Sequence, residues 1–369
     1  MERTLNTVTI NPSRVRQFGG AEGAVFCLVT NPELMDRLVI GDVHGYAGSM
    51  KIPFSQGDTF DRILAEEIPG KAHVLVISPA AFFQSPPPET LGQGRKLLAM
   101  ACNSTPTPWE AIHHFVRVVE ETDPAAQQQF TDRFFVAGEA AEYLEFVDPT
   151  HGTRARFDHK DDRYLWNEQV GTLGWGEQQL APSGEISVLP LHIWDFDFSL
   201  FLEVNGTIAL RGYPILHNGT PSFMRSDQRR IHERLATIEQ SALIATVEHG
   251  KVVSVEATDE PAQPALAMLN SMFDVDSRFR LIWEIGFAIN TQSRMLPGNL
   301  AMNETYGARN GSIHFGLGLT PHTQYHLDII CPGTTVLTSQ GAVLLGDPAP
   351  QEAGGGMRRV RGDRCACLE

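Results

Sequence analysis

Apolar residues in the first third of the chain fall into short runs separated by turn signals. AVFCLVT at 24–30, HVLVISPA at 73–80 and RKLLAMACN at 95–103 are dense in Val, Ile and Leu without clean alternation. That density predicts strands covered on both faces. DTFDRILAEEI at 58–68, between the first two, spaces its apolar residues like one helix stripe. PTPWEAIHHFVRVVEET at 106–122 predicts a helix with Thr107 as cap and Pro108 in the first turn. AAQQQFTDRFFVAGEAAEYLEFV at 125–147 predicts a second helical region, interrupted near Gly138. Alternating strand and helix patterns imply an α/β layer.

Beyond about residue 180 the pattern is strand-rich. EISVLP at 185–190 and FDFSLFLEV at 196–204 are extended, and Asn205-Gly206 predicts a tight hairpin turn into TIALRG at 207–212. A helix capped by Ser226 is expected over 226–247, a strand over 251–257 and a helix over 264–273. Strands are expected at 278–290, 312–319 and 325–331, with a closing hairpin from 334–339 and 342–347. The fold class is therefore α/β. An N-terminal α/β domain spans 1–175, and a C-terminal domain over 176–348 is built on a curved mixed β-sheet with flanking helices. A loose tail occupies 349–369.

Charge and cysteine usage narrow the possibilities. A net charge of −15, from 29 basic and 44 acidic residues, argues against a broad nucleic-acid footprint. Arg225, Arg229, Arg230 and Arg234 could line one helix side, but Asp227 and Glu233 dilute them. Cys27, Cys102 and Cys331 lie in apolar runs and read as small buried side chains, while Cys365 and Cys367 sit in the polar tail. No secretory pattern opens the chain and no run of about 18 apolar residues occurs, so a cytoplasmic protein with no membrane partner is expected.

The chemistry stands out where ionisable residues interrupt apolar strands. Glu284 is central in LIWEIGFAIN, where an ionised carboxylate is costly unless paired with Arg278 or Arg280, or ligated. His314 sits in SIHFGLGL. His326 and Asp328 form His-x-Asp in YHLDII, a spacing that puts both on one strand face. Glu185 opens its strand directly after a turn. Such carboxylates and imidazoles suit zinc, iron, manganese or cobalt. A water-activating centre and a redox iron centre both fit this inventory.

These segments resemble the metal-dependent aminopeptidase T/S family, also called M29. The matching stretches are Pro182-Ser183-Gly184-Glu185, Trp283 to Asn290, Gly311 to Gly318, and His326 with Asp328, in that order. The resemblance implies Glu185, Glu284, His314, His326 and Asp328 as metal ligands for one or two divalent ions. It also implies Glu284 as a catalytic group, a catalytic tyrosine for which Tyr325 or Tyr306 stands in because the His314-to-His326 stretch is shorter than the family's, a peptide or peptide-like small molecule as substrate, and a homodimer. Other departures stand beside it: Glu304, displaced from the acidic position expected nearer His314, lies ten residues before it, Arg309 adds a positive charge there, and the stretch from Glu185 to Glu284 is expanded. The same framework resembles the iron-dependent 2,5-dihydroxypyridine dioxygenases, which implies His314, His326 and Asp328 around one iron. It also resembles diverged members in peptide natural-product pathways, which implies a metal-free peptide-binding protein, with Trp194 and Trp283 as pocket candidates. Gly41-Asp42-Val43-His44-Gly45 is similar to a metallophosphatase box but lacks the downstream partners of one.

Overall fold

Strands buried on both faces pair in parallel with helices over them, and the first third of the chain does this. The computed structural model describes residues 7–191, 201–220, 222–319 and 322–347. The first strands are β1 (Val8–Ile10), β2 (Val25–Thr30), β3 (Leu38–Ile40), β4 (Gly48–Pro53), β5 (Ala72–Ile77) and β6 (Arg95–Met100). Helix α1 (Phe60–Glu66) and the single turn α2 (Pro88–Leu91) connect the later strands; α3 (Trp109–Glu121) and α4 (Pro124–Ala140) follow. β4, β2, β5 and β6 form a parallel sheet. Phe26 and Leu28 face one core and Cys27 and Val29 another, so both faces are covered. Burial pushes the thiols of Cys27, Cys102 and Cys331 up to about 12, as inert small side chains require.

The remaining strands are β7 (Leu144–Asp148), β8 (Thr153–Phe157), β9 (Tyr164–Gln169), β10 (Gln178–Ala181), β11 (Glu185–Pro190), β12 (Val204–Leu210), β13 (Tyr213–Asn218), β14 (Leu243–Glu248), β15 (Lys251–Ala257), β16 (Ile282–Ala288), β17 (Ser312–Leu317), β18 (Tyr325–Cys331), β19 (Thr335–Thr338) and β20 (Val343–Leu345). β10 returns to the N-terminal sheet, pairing in parallel with β6. The others build two sheets, ordered β13-β18-β17-β16-β11-β9 and β15-β14-β12-β8-β7-β19-β20. Every pairing described in them is antiparallel, so two stacked antiparallel sheets stand where one mixed sheet was expected. Their facing surfaces share one core. Phe315 of β17 meets Phe146 of β7 edge to face at 5.4 Å between ring centres. Helices α5 (Arg225–Leu235) and α6 (Gln263–Val275) add Ile231, Leu235, Leu269 and Phe273 to it.

Several local expectations give way to tertiary pairing. The helix expected over 125–147 ends at Ala140, and Leu144–Asp148 alternates buried and half-buried as β7. The helix expected over 226–247 stops at Leu235, because the β-branched stretch from Leu243 pairs with β12 and β15. Ser226 lies inside that helix and does not cap it. Thr107 caps nothing either; its hydroxyl bonds the carbonyl of Cys102 at 3.3 Å, while Asp123 does cap α4. Asn205-Gly206 is not a hairpin turn. Both residues lie within β12, where a Cβ on Gly206 would come within 2.4 Å of the Arg154 carbonyl oxygen, so the glycine serves a close strand approach. Residues 192–200, which include Trp194 and most of the 196–204 segment, and the tail with Cys365 and Cys367 lie outside the described residues.

Candidate metal centre

The six-stranded sheet has one apolar face and one ionisable face, and strand alternation divides them. On β18, Tyr325, Leu327, Ile329 and Cys331 enter the core shared by the two sheets, which leaves His326 and Asp328 on the opposite face. On β17, Ile313, Phe315 and Leu317 enter the same core, leaving Ser312, His314 and Gly316. β16 carries an irregular step between Ile282 and Glu284, opposite Leu317 and Gly316. This bulge lets Ile282 join Ile285 and Phe287 in the core while Glu284 stays with the ionisable face. β11 adds Glu185.

Glycine makes room on this face. A Cβ at Gly286 would sit 2.0 Å from the His314 ring, so that imidazole lies over bare backbone. A Cβ at Gly316 would come within 2.9 Å of Glu284 and His326 and 3.0 Å of Asp328.

Four of the five expected ligands make close ionisable contacts with Asp328 or with each other, and the fifth is Asp328 itself. His326 Nε2 lies 3.1 Å from Asp328 Oδ1 and 3.4 Å from Glu284 Oε2. His314 Nε2 lies 3.5 Å from Glu185 Oε1 and 3.9 Å from Asp328 Oδ1. Two further members were not singled out as ligands from the sequence. His217 Nε2 is 3.2 Å from Asp328 Oδ2 and makes a very short contact with Glu304 Oε1. His217 is directly opposite His326 in the β13–β18 register. The polar end of YPILHN was its one visible signal, and the register that gives it meaning is a tertiary fact. Glu304 was read as displaced from the site, but the short helical turn Ala301–Thr305 carries it in. Arg309 is exposed, outside the cluster.

Glu284 pairs with neither arginine considered for it: Arg278 is bound to Asp276, and Arg280 donates to the Val252 carbonyl. Tyr325 is not brought to the cluster. Alternation turns it to the other face, where it donates to Asp227 at 3.1 Å, and burial with that charge pushes it up to about 12. Trp283 packs against Leu319 beside the bulge. Asp42 and His44 form a local turn, with Ser13 and the His44 N–H donating to Asp42.

The electrostatics are those of a site built around charge. Burial, and then the charges of Glu304, Glu284 and Asp328, drives Glu185 well above the usual carboxylate range. Burial opposes the charge on Asp328, but His326 and the contact with His217 outweigh it and hold Asp328 well below that range. Burial likewise lowers His217, yet Glu304 and Asp328 overcome it and raise the group to about 9. His326 is raised well above its usual value against the same burial, by Asp328 and Glu284.

This donor set fits a metal ion. Asp328 Oδ1 is buried without a hydrogen bond, although imidazole nitrogens lie near it. Three groups of donors could each hold an ion: Glu185, Glu284 and His314; His217, Glu304 and Asp328; and Glu284, His326 and Asp328. Two imidazoles are fixed at their outer nitrogen. His326 Nδ1 lies 2.5 Å from the Gly318 carbonyl, and His217 Nδ1 lies 2.7 Å from Ser104 Oγ. Such anchoring orients a ligating histidine. His314 Nδ1 is buried with no partner, so the third imidazole lacks it.

The fold and site define a two-part α/β protein with a cluster that could hold a metal ion at the ionisable face of an antiparallel sheet. Its architecture is similar to that of 2,5-dihydroxypyridine dioxygenase from Pseudomonas putida KT2440, at a TM-score of 0.51 and 14% identity over 92% of this chain and 97% of that one. AmpT from Thermus thermophilus aligns at a TM-score of 0.43 and 14% identity, over 90% of this chain and 95% of its own. No protein-family model matches the chain, and no curated protein matches it. No described helix is long and apolar enough to cross a membrane.

Proposed function

We propose that this protein is a non-haem iron oxygenase acting on a hydroxylated aromatic ring. One observation carries the reading. The Asp328 carboxylate lies between the Nε2 atoms of His217, at 3.2 Å, and His326, at 3.1 Å, on neighbouring strands, and both rings are anchored at Nδ1. Two histidines and one carboxylate are the donor set of non-haem iron oxygenases, which leave open positions for substrate and oxygen. The set combines His217 and His326 from the two donor groups that share Asp328, in place of the His314 with His326 expected from the sequence, because His217 and His326 have their outer nitrogens held and His314 does not. A bound iron supplies electron exchange with dioxygen. Beside that set stands Glu185, which accepts from Gln169 Nε2 at 3.2 Å and whose carboxyl is pushed well above the usual range by burial and the neighbouring carboxylates. The fold likeness to a dioxygenase supports this reading and suggests the substrate class.

The test is anaerobic loading with ferrous iron, then iron analysis and oxygen uptake with dihydroxylated aromatic rings. One iron per chain and substrate-dependent uptake, both lost in His217→Ala, are expected. Iron-loaded protein with no uptake across the series would count against the proposal.

A second reading rests on a different observation: Glu284 and Asp328 each belong to two of the three donor groups. Shared carboxylates suit two ions and hydrolysis of a peptide or peptide-like amide, with Glu284 as bridging ligand or base. This reading predicts two ions per chain and oxygen-independent amide cleavage. Glu284→Gln should then abolish cleavage with the far-ultraviolet spectrum unchanged, and undiminished cleavage would remove Glu284 from that role.

A further inference from the structure

The loop after β6 comes from the N-terminal sheet yet touches the metal centre through one side chain. Ser104 Oγ lies 2.7 Å from His217 Nδ1. The loop is tied firmly to the elements around His217. The Ser104 carbonyl accepts from Arg225 Nη1 at 2.7 Å and Gln228 Nε2 at 2.8 Å, and the Asn103 carbonyl accepts from Arg225 Nη2 at 2.8 Å. The Asn218 N–H, one residue beyond His217, also donates to the Ser104 carbonyl at 3.3 Å. Next to Ser104, Thr105 Oγ1 accepts from the Ala301 N–H at 2.9 Å, at the start of the turn that carries Glu304.

We infer that Ser104 is a positioning residue for the metal: its hydroxyl oxygen accepts from His217 Nδ1–H and thereby presents the Nε2 lone pair to the ion. A neutral imidazole carries one proton, and the nitrogen opposite the proton is the one that ligates. The ionisable contacts described at Nε2 are to two carboxylates, Glu304 and Asp328, which favour a proton there. The Ser104 contact is the one described partner at Nδ1 that opposes them. The N-terminal α/β unit thus completes the site and is more than a neighbour to it. The inference rests on the metal reading of the cluster.

The experiment compares wild type, Ser104→Ala and Ser104→Thr in the full chain. Chelator competition gives the dissociation constant for zinc, and for ferrous iron under anaerobic conditions. Long-range proton–nitrogen spectra of the zinc-loaded protein report which ring nitrogen of His217 holds the proton. Loss of a group that orients a ligand weakens metal binding by about 10–100-fold. That loss is expected in Ser104→Ala, with recovery in Ser104→Thr and an unaltered melting temperature for the chelator-treated proteins. Zinc-loaded wild type should show the His217 proton on Nδ1. Equal affinities in wild type and Ser104→Ala, or a His217 proton on Nε2, would overturn the role of Ser104 while leaving the metal reading in place. A wild-type protein that takes up neither ion would overturn both.

Discussion

At the scale of single residues, the centre depends as much on missing side chains as on charged ones. Gly286 leaves the space that the His314 ring fills, with a Cβ there only 2.0 Å from the ring. Gly286→Ala is therefore expected to displace His314 and to destabilise the fold by about 1–3 kcal/mol, the usual cost of overpacking. Urea denaturation beside the wild type measures this, and an unchanged midpoint would show that the ring can move freely. Titration gives a second prediction. His217 is raised to about 9 in the folded chain, against about 6.5 unfolded, so the folded state binds the extra proton. The resulting stabilisation is complete below pH 6.5 and is lost as pH climbs to 9. Chelator-treated protein should melt at lower temperature at pH 9 than at pH 6.5, with the drop reduced in His217→Gln. Metal affinity should rise over the same interval, because the ion needs the deprotonated nitrogen. A melting temperature that climbs across this window would contradict the placement of His217 among carboxylates.

At the scale of elements, the strand that brings His217 into the site is an edge strand held in an unusual way. Asn299 clamps β13 by accepting from the Leu216 N–H at 2.7 Å and donating to the Leu216 carbonyl at 2.9 Å, much as a neighbouring strand would. Gln228 donates to that carbonyl as well, at 2.6 Å. Asn299→Ala leaves the buried N–H unpaired, which costs about 1–3 kcal/mol. Hydrogen exchange should show the Leu216 amide losing protection in the variant while amides of β17 keep theirs; equal protection at Leu216 would show that the clamp does not hold the strand. Element type was legible where the pattern was strong. The strands near 24–30, 73–80 and 95–103 and the strands carrying Glu284, His314 and His326 all form as their apolar runs predict. The two helices expected to run on too far share one cause. AEYLEFV and SALIATV are short apolar segments that follow real helices, and a helix stripe continues through them plausibly. Pairing with distant strands decides against it.

At the scale of the whole molecule, a metal ion would link two separately built units. Loop 101–107 from the parallel sheet and strands β13, β16, β17 and β18 meet at one cluster, so metal should stabilise the chain as a unit. Free metal at about 100 times its dissociation constant contributes about 2.7 kcal/mol. Calorimetry should show a single transition that moves down on chelation and returns with the ion, and a melting temperature indifferent to chelator would argue that the cluster holds none.

The sequence by itself determined the α/β class, the ionisable interruptions at Glu185, Glu284, His314, His326 and Asp328, and the shared face of His326 and Asp328. Strand periodicity is local, and a charge inside an apolar run shows itself without a fold. Only the tertiary structure decided the neighbours. It brought in His217 by cross-strand register and Glu304 by a loop, turned Tyr325 away to Asp227, and set Ser104 against His217 across 113 residues. Each of these is a distance between segments remote in sequence, fixed by how sheets and loops pack and not by any local pattern.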